Sequence, residues 1–339
     1  MSNYTVDAPA FVFPIGTTVI IGVISSLLAL FTAGSNLLVL ITFAKNESLR
    51  VFNDYFILNL ACADFIIGFI CIPPYIPYLL TGVWSAGRAF CKLWLVLDYV
   101  TPAASTLCMC VISIDRYCLV VYPLVYKARQ NRKVHLMMML IPWIITFLVY
   151  CPAIVLWEIV SGVDDLPETV CRIPFYNNLP YLMLGAFVEF VIPLFIIATL
   201  NVIIFLNIRR RAKVGTMGSI KPQVATITLP SGSSMPTLAV NQNIRPTPSK
   251  PIQREVSRDR KAAKALFILV FCFVVCWMPF EVMSMLSSVW PSAINPVLFE
   301  VGFWILWCNS ALNPILYPFL HPRMRKAFLK LIRSNCSCK

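Results

Sequence analysis

Seven apolar stretches divide this chain, at residues 14–44, 52–80, 90–122, 134–156, 176–208, 262–289 and 296–320. Each is longer than the ~20 residues that carry an α-helix across the hydrocarbon core of a bilayer. In hydrocarbon a backbone amide finds its partner only along its own helix or in a closed barrel, so unbroken stretches of this length fold as helices. The composition agrees. Of the 339 residues, 59% are hydrophobic and 13% charged, whereas a soluble domain spends about a quarter of its residues on charge to face water. The first stretch is too long for a signal peptide and lacks a basic lead-in and a small-residue cleavage site, so it is expected to remain as a span. The expected fold is an all-α membrane protein, a seven-transmembrane helix bundle spanning residues 14–320.

Lys and Arg distinguish the two faces. Of the 28, all but Arg88, Lys92 and Arg172 fall in the connections after spans one, three and five, in the helix ends beside them, or after span seven. The positive-inside rule then places the N-terminus outside and the C-terminus in the cytoplasm, which requires an odd number of spans. The net charge of +13 therefore faces the inner leaflet and its acidic lipids, and does not point to nucleic acid. A multi-pass protein of the plasma membrane is expected.

The connecting segments have their own signatures. Residues 1–13 form a short outer tail in which Asn3, within Asn3-Tyr4-Thr5, is a glycosylation acceptor. Residues 212–257 read as a disordered third inner loop, because the stretch is rich in Ser, Thr and Pro and lacks apolar periodicity. In 321–339 basic residues alternate with Met324, Phe328, Leu329 and Ile332 at helical spacing, which predicts a short amphipathic eighth helix on the inner leaflet. Cys336 and Cys338 follow it and are candidates for palmitoylation. Of the 13 cysteines, only Cys91 and Cys171 lie on the outer side, where a disulfide is permitted and would pin the loop before span five over the bundle. With His135 and His321 the only histidines, a histidine metal site is disfavoured. No nucleophile–base set converges in the spans, which argues against an enzyme, and no inverted repeat suggests a transporter.

Asp98 is the most informative single residue. It lies two helical turns past Cys91 inside the third span, with no Lys or Arg between it and Arg116. An acid at a helix centre costs about 2.5–3.5 kcal/mol on insertion scales. A cationic ligand is expected to complete the site.

Each span also carries a marker, in order: Asn36; Asp64; Asp115-Arg116-Tyr117; Trp143; Pro193; Cys276-Trp277-Met278-Pro279; and Asn313-Pro314-Ile315-Leu316-Tyr317. With this set the chain resembles a rhodopsin-like (class A) G-protein-coupled receptor from end to end. The resemblance implies an activation switch of Asp115, Arg116, Tyr117, Asn201, Asp259 and Tyr317. Asp259 would bridge to Arg116, and release of that pair would open a cleft for a heterotrimeric G protein. Pro279 and Pro314 each remove an intrahelical hydrogen bond and leave a point about which a helix can swing. The resemblance also implies an allosteric sodium pocket of Asp64, Ser105, Asn309, Ser310 and Asn313. A water-filled polar network is the open alternative, and no other cofactor is expected.

Within that family Asp98 falls where biogenic-amine receptors hold the ligand ammonium. Glu189, four residues before Pro193, falls where catecholamine receptors usually have serine and where the third and fourth histamine subtypes have an acid. Stretches 72–84, 91–99, 157–171, 205–210, 257–264 and 303–317 resemble the third subtype, as does Asn201. The implied ligand is histamine, and the implied coupling is to inhibitory G proteins that lower cyclic AMP, with arrestin and receptor kinases as further partners. Asp98 and Glu189 would provide two anionic ends. Tyr75, Tyr99, Trp277, Phe280, Phe303, Trp304 and Trp307 would supply aromatic faces, each stabilising a cation by ~0.5–2 kcal/mol. Two residues depart from that branch. Pro102 lies one turn after Asp98, and Glu281 adds a third acid beside the cavity. Glu281 shifts preference toward a diamine, polyamine or other amine, or else turns to solvent or pairs with Arg172. A peptide receptor of the same fold also stays open, although the outer tail and loops are short.

Overall fold

The computed structural model describes residues 14–49, 51, 54–162, 166–217, 250–290, 292, 294–320 and 322–336. Seven long helices and one shorter helix run in order: α1 (Ile15–Lys45), α2 (Tyr55–Thr81), α3 (Arg88–Val121), α4 (Arg132–Ser161), α5 (Leu179–Arg211, continuing to Met217), α6 (Lys250–Val289), α7 (Pro296–Leu320) and α8 (Pro322–Cys336). A short helix, Pro123–Ala128, links α3 to α4. Six of the seven qualify as membrane spans on length and apolarity alone. The remaining one, α7, is diluted by Glu300, Asn309, Ser310 and Asn313.

The bundle is apolar outside and polar inside. Phe195, Phe271 and Leu148 stand on its outer surface, while Asn36, Asp64, Asp98, Ser105, Ser113 and Asp115 are buried. This distribution suits hydrocarbon, where a side chain needing hydrogen bonds gains by turning toward other helices. α3 runs through the middle and packs on α2, α4 and α5; α6 bridges α5 to α7, and α7 closes onto α1 and α2.

Local signals set the helix ends. Asn131, Asn178 and Asn295 accept hydrogen bonds from the backbone N–H of Lys133, Tyr181 and Val297, capping α4, α5 and α7. Gly82 and Gly162 end α2 and α4 in the left-handed conformation, at φ 70° and 68°, which only glycine enters without strain.

α2 and α5 each contain a π turn, at Ile67–Cys71 and Phe187–Val191. Such a turn wraps an extra residue and rotates the remainder of the helix about its axis. Gly68 lies in the first, where an added Cβ would stand 2.5 Å from the Ala33 backbone nitrogen of α1. Glu189 lies in the second and is buried by it.

Two expectations change at the inner end. α5 runs to Met217 and α6 begins at Lys250, so the ends of the segment 212–257 expected as disordered are helical. Their basic residues continue helices already nucleated in the bundle. The stretch 218–249 between them lies outside the described residues. α8 forms as expected, but it turns Met324, Ala327 and Leu331 toward α7 and α1, while Leu329 faces outward. Asn3 and Cys338 lie outside the described residues, and the side chains of Asp259, Ile332 and Cys336 are not described either.

Candidate ligand-binding site

The site is built where α3, α5, α6 and α7 converge toward the end of the bundle bearing the Cys91–Cys171 disulfide. That bond joins residues 80 positions apart, with Cα atoms at 5.6 Å. Trp84 donates its backbone N–H to the Thr169 carbonyl at 2.8 Å, and Cys171 donates its own to the Tyr78 hydroxyl at 3.3 Å. Glu158 of α4 binds both Arg88 (2.9 Å) and Lys92 (2.6 Å) of α3. The loop is thus pinned across the helix ends, and two of the three basic residues on this side are neutralised. The third, Arg172, stacks its guanidinium 3.6 Å from the centre of the Tyr176 ring.

Asp98 is 5% exposed and its Oδ1 has no hydrogen-bond partner. No ion pair forms at it among the described residues. The indole of Trp307 lies beside the carboxylate, and aromatic rings close around it. Tyr75 stacks on Trp94 at 5.6 Å and meets Trp307 and Phe303 edge-on at 5.3 and 5.2 Å. Trp304 packs on Trp307 at 4.9 Å, and Phe280 on Phe303 at 5.4 Å. Trp277 lies about one turn deeper on α6, against Phe273. Buried acids among aromatic faces favour a cation, because each ring presents its negative face.

Glu189 and Glu281 form the second part. Glu189 on α5 is 8% exposed, Glu281 on α6 is 4% exposed, and the two carboxylates face each other. The alternatives in which Glu281 turns to solvent or pairs with Arg172 do not hold. The helical register set by the α6 packing sends it inward, and Arg172 is on Tyr176. Tyr150 of α4, fully buried, also faces Glu189. Tyr99 stands among Asp98, Glu189 and Glu281, with its ring 5.5 Å from Tyr150 and 6.5 Å from Phe175. Pro102 does not break α3, which is continuous from Arg88 to Val121.

Three residues here escaped the sequence reading. Glu300 of α7 accepts from the Tyr75 hydroxyl through both oxygens, at 2.8 and 2.9 Å. Tyr150 and Trp94 join the site through their ring contacts with Tyr99 and Tyr75. The acid in span seven was a usable signal, being a charge in an apolar stretch. Tyr150 and Trp94 carried none, since aromatics occur throughout the spans.

Deeper in the bundle Asp64 is fully buried. Its Oδ1 accepts from Ser105 at 2.8 Å and its Oδ2 from Asn313 at 2.8 Å. Ser310 stands beside it, and its backbone carbonyl accepts from Asn36 at 3.1 Å. Asn309 is buried on the same face of α7 without a hydrogen bond to Asp64. Together these supply a carboxylate and two hydroxyls, an all-oxygen set of the type hard cations accept.

Comparison with known proteins fits this arrangement of seven helices around an inner polar core. The family described as 7 transmembrane receptor (rhodopsin family) matches residues 35–317. The chain belongs to this family. It is similar to the alpha-1A adrenergic receptor of Homo sapiens, 31% identical over 339 residues that cover 96% of this chain and 70% of that protein. The same receptor of Bos taurus is 31% identical over 336 residues, covering 95% and 69%. Family membership makes this protein a multi-pass membrane receptor that answers a ligand through a heterotrimeric G protein, and not an enzyme.

At the other end of the receptor Arg116 Nε lies 3.7 Å from Asp115 Oδ2. The Tyr126 hydroxyl of the linking helix donates to Asp115 Oδ1 at 2.6 Å. Burial, and then this carboxylate, push the Tyr126 phenol well above its ordinary range. Tyr117 packs on Ile204 and Ile208 of α5. Among the described residues, the buried Asn201 has no hydrogen-bond partner for either amide atom, and neither does the Tyr317 hydroxyl. Pro279 and Pro314 lie inside α6 and α7, and both helices continue through them.

Proposed function

We propose that this receptor binds a small cationic amine at Asp98, histamine being one candidate, and signals through inhibitory G proteins to lower cyclic AMP. The observation that carries the reading is a buried Asp98, unpaired among the described residues and enclosed by Tyr75, Trp307 and their neighbours. A carboxylate so placed gains most from a ligand that brings its own charge. Glu189 at the far side is compatible with histamine, because an acid can accept from an imidazole N–H. The similar proteins named above are adrenergic receptors, which supports the amine class.

In this reading an amine that binds the contracted pocket more tightly shifts the population toward the state with α6 swung out at the Arg116 end. Asp64, Ser105, Ser310 and Asn313 hold a sodium ion that opposes the shift, with Asn309 beside them. The N-terminus is extracellular and glycosylated at Asn3, the C-terminus is cytoplasmic and palmitoylated at Cys336 and Cys338, and arrestin and receptor kinases end the signal.

The test is inhibition of stimulated cyclic AMP in cells expressing the receptor, challenged with histamine and a panel of mono- and diamines, with Asp98→Asn alongside. A histamine response that the variant loses supports the whole reading. A response to other amines alone retains Asp98 as anchor and removes histamine. Silence to every amine at verified surface expression, with a panel of G proteins co-expressed, overturns the amine assignment.

A further inference from the structure

One amine anchor needs one carboxylate, and Asp98 provides it. The Glu189–Glu281 pair is then in excess. Both acids are more than nine-tenths buried, they come from different helices, and they face each other. Glu281 and Tyr150 stand against Glu189, with Tyr99 and Asp98 nearby, and no ion pair forms at Glu189 or Glu281 among the described residues. Glu281 Oε1 and the Tyr150 hydroxyl have no hydrogen-bond partner among the described residues. Two carboxylates in one buried place coexist either by sharing a proton or by holding a cation between them.

The acceptors set how many donors the cation should bring. A primary ammonium carries three N–H donors. Glu189, Glu281 and Tyr150 present three acceptor groups, two carboxylates and a hydroxyl, on α5, α6 and α4. An imidazole nitrogen donates once and leaves one of those carboxylates unmet. Tyr99 lies between this cluster and Asp98, and interacts with all three acids. An alkyl chain crossing from one end to the other would lie against its ring. Glu300 adds a fourth acid at the Asp98 end, held by Tyr75.

We propose that Glu189, Glu281 and Tyr150 form a second cation-recognition site, and that the receptor prefers a linear diamine or triamine with one ammonium on Asp98 and another on this cluster. The proposal rests on the amine reading above and specifies its ligand class. It selects against monoamines of equal length, because they leave two buried carboxylates uncompensated.

The experiment uses the full-length receptor purified in lipid nanodiscs, with the thermal unfolding midpoint followed against added cadaverine, spermidine, pentylamine and histamine. Cadaverine and pentylamine share a five-carbon chain and differ in the second ammonium. For the unaltered receptor cadaverine is expected to bind at least about tenfold tighter than pentylamine. Glu281→Gln and Glu189→Gln each bring that ratio close to unity while moving pentylamine affinity less than about threefold. Tyr150→Phe lowers the ratio by a smaller factor, and serves also if a Gln variant fails to fold. Asp98→Asn removes binding of both. A ratio near unity in the unaltered receptor overturns the diamine preference and leaves the amine reading intact. A ratio that survives Glu281→Gln and Tyr150→Phe shows that the second ammonium binds elsewhere, and overturns the site. If no amine shifts the midpoint, the amine reading fails and takes this inference with it.

Discussion

Glu281 on α6 faces Glu189 on α5, and neither reaches solvent to an appreciable extent. Without a ligand this pairing is a source of repulsion between α5 and α6. Neutralising either partner as Gln should raise the midpoint of the ligand-free receptor, by about 2–4 °C for each kcal/mol of repulsion relieved. Scanning calorimetry or a thiol-reactive dye would read this. A fall in midpoint for both variants would mean that the pair already holds a shared proton in a bond worth more than the repulsion.

Asp98→Asn keeps the shape of the side chain and removes its charge. Truncating one partner of a buried charge pair costs about 2–5 kcal/mol, so affinity for a cationic agonist should fall at least about thirtyfold. Radioligand competition on isolated membranes measures it. An affinity unchanged within threefold would mean that the ligand charge sits elsewhere.

Cys171→Ser releases a loop closed over 80 residues. In the chain-entropy description that closure is worth about 4 to 5 kcal/mol. The Trp84–Thr169 and Cys171–Tyr78 hydrogen bonds should loosen with it. Surface expression should drop, and the receptor that reaches the surface should release agonist faster. Flow cytometry with dissociation kinetics tests both.

Gly68 and Gly34 make a controlled pair. A Cβ at Gly68 would meet Ala33 N at 2.5 Å and Thr32 carbons at 2.9 Å, while one at Gly34 meets nothing within 4 Å. Gly68→Ala should destabilise by about 1–3 kcal/mol or more, since α1 and α2 must part. Gly34→Ala should be close to neutral. Equal unfolding midpoints for the two variants would contradict the close approach at the π turn.

Tyr126→Phe deletes the hydrogen bond to Asp115 at the G-protein end. A bond to a charged acceptor contributes about 1.5–3 kcal/mol. Because burial and Asp115 raise the Tyr126 phenol rather than lower it, the group stays protonated and donating throughout the physiological range. Basal nucleotide exchange on the G protein should therefore rise in the variant by twofold or more. In the unaltered receptor, pH near neutrality should not reproduce that rise through this group.

Length, apolarity and the Lys/Arg bias were enough to determine seven membrane helices, because a backbone in hydrocarbon has few other ways to satisfy its amides. Asp98 could be singled out for the same reason, as a charge in such a stretch must be answered. The Cys91–Cys171 pairing was legible as the outer two of thirteen cysteines. The partners of the remaining acids were not legible. Whether Glu281 meets water, Arg172 or Glu189 depends on the rotation of α6 against α5, and on a π turn at Phe187–Val191 that no local residue announces. Tyr150 and Glu300 enter the site for the same reason. Their positions are set by how separate helices pack, and side chains on different helices share no periodicity that a one-dimensional pattern can record. Tertiary structure alone decided that the far end of the pocket holds two facing carboxylates instead of one.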